Sequence, residues 1–333
     1  MDHSQVLVLD FEDYLSGSFR LQNKFIEGIG QSLRQSGFVV CKNMQIGQVM
    51  QRVRIQEKLF FERLSLDEKL SLFRPETKGE RGFVPIGGET AIGEKYPDLK
   101  EYFEFGREQD LQHEVNVWPT KELLPDFAPT MIEMYAMQEQ RMHYILQAIW
   151  QYVGMEKDML KSDTILGNSV MRLNFYPSQE YVLQVLRQYI EQPAKAQIKV
   201  ELAQQMEAAL CDTGLFPRSI RAGKHKDSNF ITLLYEPGEG LQVSPHDDGT
   251  WEDIPYLKDS MVINIGEKLE LKTGLPATMH RVINPSGNFS VSRYTEPFFG
   301  HPHRNCILDE KSGLVDHQYM NLLLAKRYTV VGN

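Results

Sequence analysis

The chain has 333 residues, of which 36 are Lys or Arg and 45 are Asp or Glu, giving a net charge of -9. This length supports one domain with a substantial core and helical additions, and the acidic balance offers no basic stripe to a nucleic acid. No stretch approaches the roughly 20 apolar residues that span a bilayer. The opening MDHSQVLVLD lacks a basic leader, and Cys41, Cys211 and Cys306 fit neither a disulfide framework nor a zinc-site spacing. A cytoplasmic protein with reduced thiols, bound neither to membrane nor to nucleic acid, is the expectation.

In chain order, QVLVLD at 5–10 predicts a short buried strand, and Leu21, Phe25, Ile29 and Leu33 recur on one helix face until Ser36-Gly37 stops it. Phe38 to Cys41 reads as the next strand. A second helix carries Ile46, Val49, Val53 and Phe60, and Ser65 with Glu68 forms a capping box that opens a third. Residues 1–120 are thus an α+β region, with Gly- and Pro-rich loops around one or two strands between Gly79 and Gly106. The span 121–177 holds a long helix near 128–153, with Met131, Met134, Ile145, Ile149 and Tyr152 on one stripe, and then the strand MRLNFYP. Residues 178–222 read as a helical insertion, since Ile198, Leu202, Met206 and Leu210 repeat every four positions after Pro193. From 223 to 310, short β-branched and aromatic runs separated by Gly, Pro, Asn and Asp indicate antiparallel strands. The fold class is mainly β with helices (α+β): a double-stranded β-helix, or jelly roll, flanked by N-terminal helices and the insertion.

Chemistry concentrates in this last part. On a strand, alternate side chains share a face, so His225 and Asp227 can reach one metal ion while Lys226 points away. His280 lies far along the chain, but a jelly roll brings distant strands side by side. Two histidines and a carboxylate on one octahedral face are the ligand set of mononuclear non-haem Fe(II) enzymes, with open positions for cosubstrate and O₂. Arg293 and Thr295 repeat the alternate spacing. A guanidinium grips a carboxylate through paired N–H donors and the hydroxyl adds a third bond, so a dicarboxylic cosubstrate fits. His246, His301 and His303 stand in Pro- and Gly-rich loop sequence, and His143 shares the long helix with its apolar stripe; these read as surface or packing residues.

The order of motifs resembles the isopenicillin N synthase-like branch of the Fe(II)/2-oxoglutarate-dependent oxygenases. Gly37-Phe38 with Asn43 and Ile46 is similar to an early GF...NHGI phrase, with Met44 in place of its histidine, and Arg81-Gly82-Phe83 and Asp98 to Glu101 follow in order. LNFYP, HKD, TLL, GLQV, Trp251, VINIG, HRV and RYT then fall where the family has its motifs. The resemblance implies that His225, Asp227 and His280 bind Fe(II) and that Arg293 and Thr295 bind the distal carboxylate of 2-oxoglutarate. It also implies that Asn174 and Tyr176 line the cosubstrate pocket. Thr295 replaces the usual serine and keeps its hydroxyl. The implied reaction oxidises a small molecule with O₂, by hydroxylation or desaturation, and releases succinate and CO₂.

Other readings stay open at this point. Isopenicillin N synthase itself is an oxidase that uses Fe(II) and O₂ without 2-oxoglutarate, and there the Arg-x-Ser pair serves a substrate carboxylate. A binding module on the same scaffold would have been free to lose its ligands, and a zinc hydrolase leaves Arg293 and Thr295 without a role. The 178–222 segment is either peripheral decoration or, because it joins two strands with site residues, a lid or an interaction surface.

Overall fold

The β-branched and aromatic runs pair into two main sheets in the computed structural model, which describes residues 6–77, 79–88, 97–108, 114–213, 220–236, 238–283 and 291–331. The strands are β1 (Val8–Asp10), β2 (Phe38–Lys42), β3 (Gly82–Val84), β4 (Glu101–Gly106), β5 (Val170–Tyr176), β6 (Ile220–His225), β7 (Ile231–Tyr235), β8 (Leu241–Ser244), β9 (Glu252–Asp253), β10 (Ser260–Ile265), β11 (Met279–Ile283), β12 (Arg293–Thr295), β13 (Pro297–Gly300), β14 (Ile307–Asp309) and β15 (Leu314–Val315). The helices are α1 (Phe11–Leu15), α2 (Phe19–Ser36), α3 (Gly47–Lys58), α4 (Leu66–Leu70), α5 (Phe127–Val153), α6 (Lys157–Thr164), α7 (Gln179–Glu191), α8 (Val200–Thr213), α9 (Glu267–Thr273) and α10 (Asp316–Val331). Among the described residues, no helix is long and apolar enough to cross a membrane.

The larger sheet runs β1-β2-β10-β7-β13-β5-β4-β3, with β12 also on β5, and the smaller runs β6-β11-β8-β9. Facing each other, they form the jelly-roll barrel. Its apolar interior joins Phe38, Val40 and Val262 of the larger sheet to Leu241 and Val243 of the smaller, with Leu234 and Val282 packed against them. Because side chains alternate, residues two positions apart share a face. Leu234 therefore shares its face with Thr232, Val262 with Asn264, and Val282 with His280. One end of the barrel is apolar and the other polar, and the polar end is where the site forms.

The outer face of the larger sheet is covered by α2, α3 and α5, whose apolar stripes meet Leu173, Phe175, Leu233 and Ile263 in the main core. The expected stripe of Met131, Met134, Ile145 and Ile149 is buried there, and the capping box is made: Ser65 Oγ accepts from Glu68 N at 3.3 Å while Glu68 Oε2 accepts from Ser65 N at 2.7 Å. Two local expectations change. Among the described strands β1 lies at the sheet edge and pairs with β2 alone, so Val8 is exposed rather than buried. Beyond Lys58 the helix widens into a π turn, Leu59–Arg63, in which both Phe60 and Phe61 point into the core.

Between β5 and β6, α7 and α8 form a cluster of their own, in which Val185, Leu186, Tyr189, Met206 and Leu210 pack on Ile86. Tyr189 donates to Ile86 O at 3.1 Å, and Lys195 pairs with Asp67 at 2.6 Å. Strand β6 starts at Ile220, so the helical part ends earlier than the expected boundary at 222.

Gly37 ends α2 in the left-handed region (φ 72°), its N–H bonding Leu33 O at 2.8 Å. A Cβ there would lie 2.3 Å from Thr278 Oγ1 and 2.6 Å from Pro276 O, whereas one at Gly154, which ends α5 at φ 75°, meets nothing within 4 Å. Gly154→Ala should therefore cost only the backbone term of about 1 kcal/mol. Gly37→Ala should cost clearly more, and denaturant unfolding of the two variants will measure the difference.

Candidate metal and cosubstrate site

Strands β6 and β11 run antiparallel with His225 directly opposite His280, and their ring centroids lie 4.3 Å apart. Beside this pair the register shifts, with three steps along β6 (His225 to Ala222) set against two along β11 (His280 to Val282), an irregularity of the kind that re-aims side chains beside active sites. Asp227 reaches the same point differently from the expectation that it shares a strand with His225. Strand β6 ends at His225, and Asp227 lies in the turn toward β7, so hydrogen bonds rather than the pleat set its direction. Its Oδ1 lies 3.5 Å from His225 Nε2 and 3.6 Å from His280 Nε2. One ligand atom from each of the three residues falls within 4.8 Å of the others, a face that could hold one metal ion.

The outer atoms of all three groups are engaged. His225 Nδ1 lies 2.8 Å from Gly223 O and His280 Nδ1 3.1 Å from Thr278 O. A carbonyl only accepts, so the proton sits on Nδ1 and the Nε2 lone pair faces the centre. Asp227 Oδ2 accepts from Thr232 Oγ1 and from Asn264 Nδ2 at 2.9 Å, leaving Oδ1 as the ligand oxygen. Thr232 Oγ1 itself accepts from Asn229 Nδ2 at 2.9 Å, which aims its proton at Asp227. Burial alone would raise the Asp227 carboxyl, but the two histidines and the Asn264 amide outweigh it and hold it well below the usual carboxylate range. Burial pulls His280 down, while at the half-exposed His225 contact with Asp227 overcomes burial and raises it. The donor set of two neutral imidazoles and one carboxylate suits a divalent iron.

Arg293 and Thr295 lie on β12 opposite Tyr176 and Asn174 of β5. Asn174 Nδ2 donates to Thr295 Oγ1 at 3.3 Å, which leaves the threonine hydroxyl proton available to a ligand. Among the described residues Asn174 Oδ1 is buried with no hydrogen-bond partner, and Arg293 Nη1 donates to Glu239 O at 3.0 Å. Burial lowers Arg293, opposed by Tyr176 and Glu296, without approaching a pH at which a guanidinium would lose its charge. Beyond β12 the chain continues as β13, where Pro297 faces Leu234 of β7. Alternation therefore puts Arg293, Thr295, Asn174 and Tyr176 on the barrel face that also carries Thr232. A guanidinium and a hydroxyl with its proton available suit a carboxylate.

The other histidines lie outside this arrangement. His246 is exposed in the turn after β8, His301 Nδ1 lies 3.2 Å from Lys268 Nζ, His303 Nδ1 accepts from Asn305 N, and His143 bonds Glu139 O and Thr164. Among the described residues, His225, Asp227 and His280 are the one group with metal-ligand spacing. Sequence reasoning missed the supporting roles of Thr232 and Asn264. The signal was there in Asn264, a lone amide inside the apolar run MVINI, which needs a buried partner.

Comparison with known proteins agrees with this geometry. Residues 6–121 match the family model described as non-haem dioxygenase in morphine synthesis N-terminal, and residues 167–302 match that of the 2OG-Fe(II) oxygenase superfamily. The chain is 25% identical over 326 residues to the 2-oxoglutarate-Fe(II) type oxidoreductase ppzD of Metarhizium rileyi, covering 90% of this chain and 82% of that one. It is 26% identical over 308 residues to the 2-oxoglutarate-dependent dioxygenase traH of Penicillium crustosum, covering 88% and 83%. A putative 2OG-Fe(II) oxygenase family protein of Caulobacter crescentus superposes with a TM-score of 0.73 at 27% identity, covering 96% and 98%. A full-length Neurospora crassa protein solved in complex with alpha-KG shares the fold, with a TM-score of 0.76 at 23% identity over 98% of both chains. With both halves matched on one jelly-roll frame, the chain belongs to the isopenicillin N synthase-like family of Fe(II)/2-oxoglutarate-dependent oxygenases.

Proposed function

We propose that His225, Asp227 and His280 hold the Fe(II), that Arg293 and Thr295 bind the distal carboxylate of 2-oxoglutarate, and that the enzyme oxidises a small molecule with O₂. The observation that carries the reading is the shared focus of His225 Nε2, His280 Nε2 and Asp227 Oδ1, with the remaining polar atom of each group already tied to the protein. Bound iron with 2-oxoglutarate would supply the oxidising chemistry, releasing succinate and CO₂.

The chain's own residues orient and select. Gly223 O and Thr278 O fix the imidazole planes, and Thr232 and Asn264 hold the carboxylate edge so that one oxygen stays directed inward. Arg293 and Thr295 give the cosubstrate one orientation, with Asn174 and Tyr176 beside it. The names of the relatives favour 2-oxoglutarate use over the oxidase alternative. The chain reads as one oxygenase domain with a helical insertion, α7 and α8, between β5 and β6 and seated on Ile86. Three free cysteines accord with a reducing compartment such as the cytoplasm.

Anaerobic addition of 2-oxoglutarate to the Fe(II) protein should develop a visible metal-to-ligand charge-transfer band, and turnover should release succinate. Absence of both would sink the reading. His225→Ala and Asp227→Ala should each lose iron and turnover, as metal analysis of the purified variants will show. Arg293→Lys keeps the charge but not the paired donors, so the KM for 2-oxoglutarate should rise about tenfold or more, a loss of roughly 1.4 kcal/mol. Thr232→Val preserves shape and removes the proton aimed at Asp227; metal titration should find iron affinity reduced about 10- to 100-fold.

A further inference from the structure

Behind the strand that carries Arg293 and Thr295, two carboxyl groups meet inside the protein. Successive strand residues face opposite ways, so Glu296, next to Thr295, is turned out of the barrel toward α3. There it meets Glu57, and both side chains are fully buried. Apart from their contact with each other, the charged group close to them is Arg54, whose Nε lies 3.5 Å from Glu296 Oε1. Arg54 is shared, since its Nη1 donates to Glu236 Oε2 at 3.0 Å. Among the described residues, none of the four carboxyl oxygens of Glu57 and Glu296 accepts a well-directed hydrogen bond from another group.

The surroundings do not neutralise two negative charges. Facing the pair are Arg54 and Glu236, with Tyr235 beside Arg54, Tyr294 and Glu62 bonded to each other, and Arg293 on the far side of the strand. With every carboxyl ionised, one guanidinium would face Glu57, Glu296 and Glu236 together. Two touching buried carboxylates cannot both stay ionised, whereas one proton between them turns a repulsion into a donor–acceptor pair.

We propose that Glu57 and Glu296 share one proton and that this acid pair latches the Arg293–Thr295 segment to α3, making Glu57 a positioning residue for the cosubstrate. Tyr294, which donates to Glu62 in the π turn, is the second tie between the same strand and the same helical segment. Burial, reinforced by Glu296, raises Glu57 well above the usual range, and burial raises Glu296 as well, against the lowering by Arg54 and by its bond to Glu57. The folded protein therefore binds a proton that the unfolded chain has already lost. Its stability falls as pH rises from the unfolded carboxyl value, about 4.3, through the folded one. Above that point like charges stand back to back and push β12 off α3. The inference rests on the reading of Arg293 and Thr295 given above.

The test is the pH dependence of 2-oxoglutarate affinity, measured by anaerobic calorimetry on the Fe(II) protein, together with infrared spectra of the protein without cosubstrate. In the native protein, affinity should weaken on the alkaline side by up to about tenfold per pH unit, the limit for one linked proton, while turnover at saturating 2-oxoglutarate changes little. The infrared spectrum should carry a protonated-carboxyl band at neutral pH that vanishes over the same range. Glu57→Gln and Glu296→Gln each retain a donor and lose the shared proton, so both should bind at near-native affinity at neutral pH with a flattened profile and no such band. The proposal is overturned if the native protein shows no protonated-carboxyl band, or if both glutamine variants keep the native pH profile. Unchanged affinity in Arg293→Lys would instead overturn the cosubstrate reading, and the infrared band would still decide whether the proton is shared.

Discussion

The cross-strand pairing of His225 with His280 is the constraint on which the rest of the site depends. It requires β6 and β11 to meet in one register, and a slip of one residue would turn an imidazole out of the barrel. With both rings fixed, one further oxygen completes a metal-binding face, and the turn after β6 brings Asp227 to that place. The larger sheet then takes part, since Thr232 on β7 and Asn264 on β10 reach across the barrel to the same carboxylate. The site is thus a contact between the two sheets, and closure of the barrel and assembly of the site are one event.

The same alternation that gives the barrel an interior gives it an exterior with its own chemistry. Arg293 and Thr295 face inward, while Tyr294 and Glu296 face α3 and its π turn. Whatever fixes the outer contacts also fixes the inner ones. A comparable buried arrangement ties the insertion to the sheet: Lys69 pairs with Glu101 of β4 at 2.7 Å, and Tyr181 of α7 donates to the same carboxylate at 2.9 Å. Both polar clusters sit where an apolar contact could have supplied more stability. What they add is a single geometry, because a misplaced buried charge costs several kcal/mol.

Local signals were legible without coordinates. Ser65 and Glu68 marked a helix start because a capping box needs only neighbouring residues, and Gly37 marked a stop because a left-handed cap favours glycine. The triad was legible for a similar reason, with few residue types able to ligate iron and their order in a β-rich region narrowing the choice. What escaped depended on register. Nothing in the string HKD says that the strand ends at His225, and nothing in FITLLY says that Thr232 meets Asp227 rather than solvent. Glu57 and Glu296 are further from legibility still, because a glutamate on a helix and one beside a strand end both read as exposed until the two elements are packed together.

The sequence by itself determined the chemistry this protein can perform: two histidines, a carboxylate, an arginine and a hydroxyl in an order that suits Fe(II) and 2-oxoglutarate, on alternating strands that can form only a barrel or sandwich. Side-chain type and local periodicity carry that information, and both are written residue by residue. Tertiary structure decided which oxygen of Asp227 faces inward, which nitrogens of the histidines are tied back, and which carboxyl stands behind Thr295. The imidazoles are tied back by carbonyls two residues away, but the rings meet, Asn264 reaches Asp227 and Glu57 meets Glu296 across long stretches of chain, and such partners acquire a distance and a direction only when the two sheets and their covering helices close on one another.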